Sequence, residues 1–325
     1  MPASACTFKL KPGTRVALAA LFVWCWTVPI PAATEIDAAR VKEMAGFLPA
    51  KPAGFGRPIT DRAAWERIAR VPAFASVVSE ARDLSLKPVS ALPDELYLDF
   101  SKTGNRKRCE AVLRERQQRV AQFTLAECLE NRGRFLGALT NSLAALCAEK
   151  TWVYPAHDRA LDNFSGRKVE KDLRATAVAW DLATADYLLG DQLPPATRQL
   201  IRDHIRRRVL QPFRNMVEGR QDAVFWLRAT HNWNAVCLAG VTGAALALED
   251  SPQDRAWFVA AAQHYIRCFL KGCTPDGYCS EGSGYWNYGF GHFLMLGEAL
   301  RQATANRVDL LADPAAFQPA RYSLR

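Results

Sequence analysis

From Arg106 onward the chain repeats one pattern: long stretches with apolar residues at helical spacing, separated by short breaks of glycine or proline. Apolar positions at i, i+3, i+4 and i+7 line one face of a helix, whereas a half-buried strand alternates every second residue. Thr230 to Leu248 is the clearest case, with Trp233, Val236, Cys237, Gly240, Val241, Ala244 and Leu248 on one stripe, and it reads as an amphipathic helix. Ser251-Pro252-Gln253-Asp254 then reads as a helix start, with serine as N-cap, proline in the first position and an acid in the first turn. That helix is expected to end at Gly272. Cys109 to Asn131 and Arg134 to Lys150 read as consecutive helices around Gly133. Asp172 to Leu189 reads as another, stopped by Gly190, and Pro194-Pro195 opens one that runs to about Leu210. The last covers Tyr285 to Ala303. Leu96 to Phe100 (LYLDF) reads as a short strand or extended piece. Helices of similar length joined by short loops predict an all-α domain of antiparallel helical hairpins, set side by side or in a ring.

Ahead of that domain, residues 1–33 read as an export signal peptide. Lys9, Lys11 and Arg15 precede an apolar run from Val16 to Ile30, and Pro31-Ala32-Ala33 offers a small-residue cleavage site. The run is shorter than the roughly 20 residues a membrane span needs. No stable membrane insertion is therefore expected after its removal, and the mature protein is expected in the periplasm or outside the cell. Residues 34–105 read as a helical and loop segment, and 106–325 as the helical domain.

The net charge of +9 suits an acidic partner, with Arg206-Arg207-Arg208 read as a solvated face. No nucleic-acid-binding module is recognisable, so no nucleic-acid partner is expected. Of nine cysteines, Cys6 and Cys25 fall in the leader, and the odd remainder argues against a complete disulfide framework. Cys128, Cys147 and Cys237 occupy apolar helical positions and read as small core residues. Cys273 and Cys279 are spaced to bridge across a loop. No metal and no cofactor are expected.

Gly272 to His292 (GCTPDGYCSEGSGYWNYGFGH) concentrates chemistry. A Pro275-Asp276-Gly277 turn leads to an isolated acid, Glu281, and a helix started near Gly284 carries Tyr285, Tyr288 and His292 on one face. Upstream, Thr230-His231-Asn232-Trp233-Asn234 stands at the start of another helix, and Trp152 to Asp158 forms a loop holding Tyr154, His157 and Asp158.

Thr230-His-Asn-Trp-Asn-Ala-Val-Cys, followed by Pro275-Asp-Gly and Glu281-Gly-Ser-Gly-Tyr-Trp-Asn-Tyr288, resembles the heparinase II/III-like polysaccharide lyases, whose relatives include oligoalginate lyases. Phe135 to Asp158 and the segment at Leu188 share in the resemblance. It implies an (α/α) toroid, here an incomplete one, whose cleft the family closes with a C-terminal β-sandwich. That sandwich and its assisting histidine are not in this chain, which puts activity of the chain by itself in doubt and makes the sandwich an expected missing partner.

The resemblance implies β-elimination on a uronic-acid polysaccharide, heparin-like or alginate-like. Three tasks follow: neutralise the uronate carboxylate, take the C5 proton, and protonate the departing O4. Asn232, Asn234 and His231 at a helix N-terminus suit the first, because donors and a positive dipole end favour an anion. The resemblance implies the tyrosine after the Glu281 motif, Tyr285 or Tyr288, as the catalytic acid and as one candidate for the base, and the residues themselves offer His231 or His292 as the other candidates for the base; neither tyrosine is singled out, though spacing leans toward Tyr285. Glu281 either orients a neighbour or binds sugar hydroxyls. Tyr154 and Trp286, with Trp233, are candidates for stacking on sugar, although both tryptophans also fit a core. His157 is a candidate for substrate contact, or with Asp158 a turn anchor. Two other readings stay open: an (α/α)-barrel glycoside hydrolase using Glu281 with Asp276 or Asp158, which needs a carboxylate pair, and a non-catalytic binder of acidic polysaccharide.

Overall fold

The computed structural model describes residues 36–279 and 281–322, so the leader expected at 1–33 lies outside the described residues. Ala33–Arg325 groups as one unit. Its helices are α1 (Ala38–Phe47), α2 (Arg62–Ala69), α3 (Val77–Ser85), α4 (Asp94–Thr103), α5 (Lys107–Glu130), α6 (Leu136–Cys147) and α7 (Leu173–Leu189). They continue with α8 (Pro195–Ile205), α9 (Gln211–Val217), α10 (Asn232–Leu248), α11 (Pro252–Lys271), α12 (Ser283–Ala303) and α13 (Pro314–Tyr322). Among the described residues the β structure amounts to an isolated antiparallel bridge, Cys273 to Cys279. None of the described helices is long and apolar enough to cross a membrane.

Local chemistry sets the helix ends. Asp61, Asp172 and Ser251 each accept a bond from a backbone N–H of the following turn, the usual way an orphan donor is satisfied. Asn131 closes α5 in the left-handed region (φ 53°), which asparagine tolerates. The Glu127 carboxylate then accepts from Gly133 N at 2.6 Å and Phe135 N at 3.0 Å, fixing the α5–α6 turn.

The strand expected at Leu96–Phe100 is instead the middle of α4. Its β-favouring residues are outweighed by end signals: Asp94 and Glu95 in the first turn and Gly104 as a left-handed cap. The helix expected to stop at about Leu210 also runs further. A π turn at Arg206–Leu210 carries it into α9, and Pro212 explains the widened turn, because it has no N–H to give the preceding carbonyls. The arginine run is not uniformly solvated either. Arg208 turns inward, donates to the Glu149 carbonyl at 2.6 Å and lies over the Trp152 ring.

Consecutive helices pair: α5 with α6, α7 with α8, α10 with α11. The central element is α10, which packs most extensively on α7 and then on α12. Every α10 residue except Trp233 is buried, so it is a core helix rather than the amphipathic one its spacing suggested. Small residues make this fit. A Cβ on Gly240 would sit 2.6 Å from the Thr176 carbonyl oxygen, and one on Gly243 2.2 Å from the Trp180 ring, so α7 and α10 cross in contact only through glycine.

The N-terminal segment is tied to the rest. Arg255 is fully buried and donates to the carbonyls of Pro49, Ala50 and Lys51. Arg62 reaches the Cys128 carbonyl at 2.8 Å. Buried Glu149 pairs with Arg116 and Arg174, both at 2.9 Å, so the cluster holds two cations on one acid at the end of α6.

Candidate active site

The two distant motifs meet at the N-terminus of α10. His231 occupies the cap position in an extended conformation and makes no side-chain cap bond. Glu281, 49 residues away, supplies the anion instead. Its carboxylate accepts from the Asn232 backbone N at 3.1 Å and from Asn232 Nδ2 at 2.8 and 3.0 Å. A carboxylate on a helix N-terminus is stabilised by the free N–H groups and the positive dipole end. The turn of α12 that follows Tyr288 lies on the same spot. A Cβ on Gly289 would be 3.0 Å from Asn232 Cβ, so only glycine lets α12 approach. Asn232 Oδ1 is buried and has no hydrogen-bond partner among the described residues.

Ahead of Glu281, the Pro275-Asp276-Gly277 turn forms as expected, with Gly277 at φ 90° and Thr274 N donating to the Tyr278 carbonyl at 2.9 Å. Cys273 and Cys279 stand opposite each other across it as thiols. Cys128, Cys147 and Cys237 are all buried.

Asp172 organises the neighbouring wall. One oxygen caps α7 at Ala175 N; the other accepts from Tyr154 N at 2.9 Å and meets His157 Nδ1 at 2.7 Å. From there rings run in contact. Tyr154 to His157 is 5.7 Å between centroids, His157 to Trp233 4.7 Å, Trp233 to Phe225 4.9 Å and Phe225 to His231 6.1 Å. Phe225 is 63% exposed.

Tyr288 and Tyr154 line one cavity of about 250 Å³ with Arg114, Gln117, Gln118, Leu173, Arg174 and Asp181. Burial pushes the Tyr288 phenol up to about 12, helped by its proximity to the ionisable groups of Cys237, Tyr154 and Asp172. Burial also raises Tyr154. The His292 ring stands edge-on to Tyr288, centroids 4.8 Å apart, and burial lowers its proton affinity against the opposing pull of its backbone bond. That bond joins Nδ1 to the Tyr288 carbonyl at 2.8 Å. A carbonyl only accepts, so Nδ1 carries the hydrogen and Nε2 keeps its lone pair.

The other candidates are placed differently. Tyr285 is 53% exposed on the α12 surface and does not line that cavity. Asn234 is fully buried and donates to the Leu227 carbonyl at 2.9 Å, which holds the turn at Phe225–Arg228. Trp286 packs on Phe290 and Tyr322. Asp158 is buried and accepts from Tyr97, Asn163 and Phe164, anchoring its turn. Asp276 accepts from Thr274 and from Tyr278 N. The three carboxylates named for a hydrolase pair, Glu281, Asp158 and Asp276, are thus engaged in holding their own loops or Asn232. Among the described residues no three His, Cys, Asp or Glu side chains gather as metal ligands would.

Sequence reasoning did not reach the α5–α7 wall. The signal was there: Arg114, Gln117 and Gln118 follow i, i+3, i+4 along one face of α5, a polar stripe that Ala121 continues one turn on, between buried ones. No family model matches the chain, and no curated protein does.

Proposed function

We propose that this chain is the helical, toroid-type part of a polysaccharide lyase that cleaves a uronic-acid polymer by β-elimination after export. The observation that carries the reading is the Asn232–Glu281 contact, which draws the two motifs together beside Tyr288. The ring track from Tyr154 to Phe225 offers the stacking surface that a sugar chain uses.

The steps follow from protonation states. A phenol held at about 12 keeps its proton near neutrality, so Tyr288 acts as the acid. The base in this reading is His292, which stands edge-on to Tyr288 rather than among the residues lining the cavity and takes the C5 proton on its bare Nε2. The electron pair released forms the C4–C5 double bond, the C4–O4 bond breaks, and O4 leaves with the Tyr288 proton. Arg114 and the amides of Gln117 and Gln118 face the same cavity and suit the uronate carboxylate. Asn232 is held by Glu281 and so fixes the α10–α12 junction rather than serving as an idle donor. Tyr285, outside the cavity, is the weaker choice for the acid.

The test offers heparin, heparan sulfate, alginate and hyaluronan to purified protein and follows ultraviolet absorbance of an unsaturated uronate. Absorbance with one of them supports the lyase. Reducing ends without that absorbance would assign a hydrolase, and binding without product a non-catalytic protein.

A further inference from the structure

One group in the cavity is unexplained by elimination chemistry. Asp181 sits two turns beyond Leu173 and Arg174 on α7, and it is the carboxylate among the cavity's lining residues. Its Oδ2 accepts from Gln117 Nε2 at 2.7 Å, and among the described residues no bond reaches Oδ1. An acid is a costly choice in a place meant for an acidic sugar, since like charges repel most where water is scarce. The cavity, about 250 Å³, would hold roughly eight waters at ~30 Å³ each, the bulk of one sugar residue.

The groups around Asp181 come from each wall. Arg114, Gln117 and Gln118 face it from α5, Arg174 from its own helix, Tyr154 from the preceding loop and Tyr288 from α12. Arg174 is committed elsewhere, to Glu149 at 2.9 Å and the Trp152 carbonyl at 3.1 Å. Arg114 reaches Glu110 at 3.5 Å.

We propose that Asp181 sets which sugar this cavity accepts: as a neutral acid it donates through its carboxyl to a uronate carboxylate, and as a carboxylate it rejects that group and favours a neutral, hydroxyl-bearing sugar. The proposal rests on the reading of the cavity as an acidic-sugar site. Burial supports it by raising the Asp181 carboxyl to about 6, with the Gln117 bond and the Arg174 charge pulling the other way. Its charge therefore changes between mildly acidic and neutral conditions. The proton is taken from solvent and returned to it, and no covalent bond changes.

Calorimetric titration with trimannuronate and with its carboxyl-reduced, neutral analogue tests this between pH 5 and 8. Wild-type affinity for trimannuronate should fall about tenfold across that range, within the usual span of coupling between two sites. Asp181→Asn should hold the low-pH affinity throughout, and the neutral analogue should bind wild type no more weakly at pH 8 than at pH 5. Gln117→Leu, which removes the bond that favours the ionised form, should move the transition to higher pH. A wild-type pH profile retained in Asp181→Asn overturns the role of Asp181 while leaving the sugar site standing. Binding of neither trisaccharide at any pH overturns the sugar site itself.

Thermal melting gives a ligand-independent check. A carboxyl whose folded value lies above its unfolded one costs stability once ionised, a cost absent below the unfolded value of 3.8 and complete above the folded value of about 6. Asp181→Asn should therefore melt higher than wild type at pH 7.5 and match it at pH 4. Equal melting at both would mean that Asp181 does not titrate in this range, and the proposal would fall.

Discussion

Helices α10 and α12 lie against each other, and both are rich in glycine, yet away from Gly289, where α12 meets Asn232, they use it in opposite ways. In α10, Gly240 and Gly243 are pressed onto Thr176 and Trp180, and nearly every residue is buried. In α12, a Cβ on Gly284 or Gly291 would meet nothing within 4 Å, and Tyr285, Tyr288 and Met295 are exposed along the same side. One helix spends its small residues on close packing. The other carries Tyr285 at the surface and Tyr288 at the mouth of the α5–α7 cavity. The contrast separates residues that hold the fold from residues available to a ligand, which glycine content alone would not.

Activity should break that pairing most strongly. Tyr288→Phe should lower uronan cleavage by about 10²–10⁴-fold, the usual cost of a missing proton donor, while Tyr285→Phe stays near wild type. The reverse pattern in the absorbance assay would hand the role to Tyr285. Stability should divide the glycines next. Gly243→Ala should lose about 1–3 kcal/mol in urea unfolding from overpacking against Trp180. Gly291→Ala should instead gain up to about 1 kcal/mol through better helix propensity. Loss in both would mean that α12 is covered after all.

The loop between α11 and α12 comes next. Thr274 N donates to the Tyr278 carbonyl, which makes Cys273 and Cys279 a non-hydrogen-bonded antiparallel pair. Such pairs have Cα atoms about 4.5 Å apart, inside the range a disulfide accepts. Oxidised protein should melt above reduced protein by about 2 kcal/mol for a ring of about seven residues, and peptide mapping should find that bond. Cys279→Ser should abolish the difference. The smallest effect is expected at the helix junction: Glu281→Gln should cost about 1 kcal/mol. With Asn232→Ala it should be clearly non-additive in a double-mutant cycle; simple additivity would deny the contact any energetic role.

Helix ends were legible because their chemistry is local: Ser251 caps where it was expected, and Asp172, read as the first helical residue, is the cap just before it. The two motifs were legible in the sequence, though not the bonds from Asn232 to the Glu281 carboxylate that join them. Three things depended on tertiary context. Leu96–Phe100 carries strand-like side chains, but Tyr97 buries as well from a helix, against Cys109 and Leu113. The full burial of α10 was hidden because alanines and glycines look neutral on either face. Arg114, Gln117 and Asp181 sit on helices far from the motifs, where polar residues read as solvated until a second helix encloses them.

The Glu281 carboxylate has a further consequence. It acts as a latch, one charged group that fastens the loop entering α12 to the positive end of α10 across 49 residues of sequence. Concentrated sulfate or phosphate competes for that same helix end. Such anions should pry the loop open while both helices stay folded, so hydrogen exchange in residues 278–284 should quicken with added oxyanion well before the molecule unfolds.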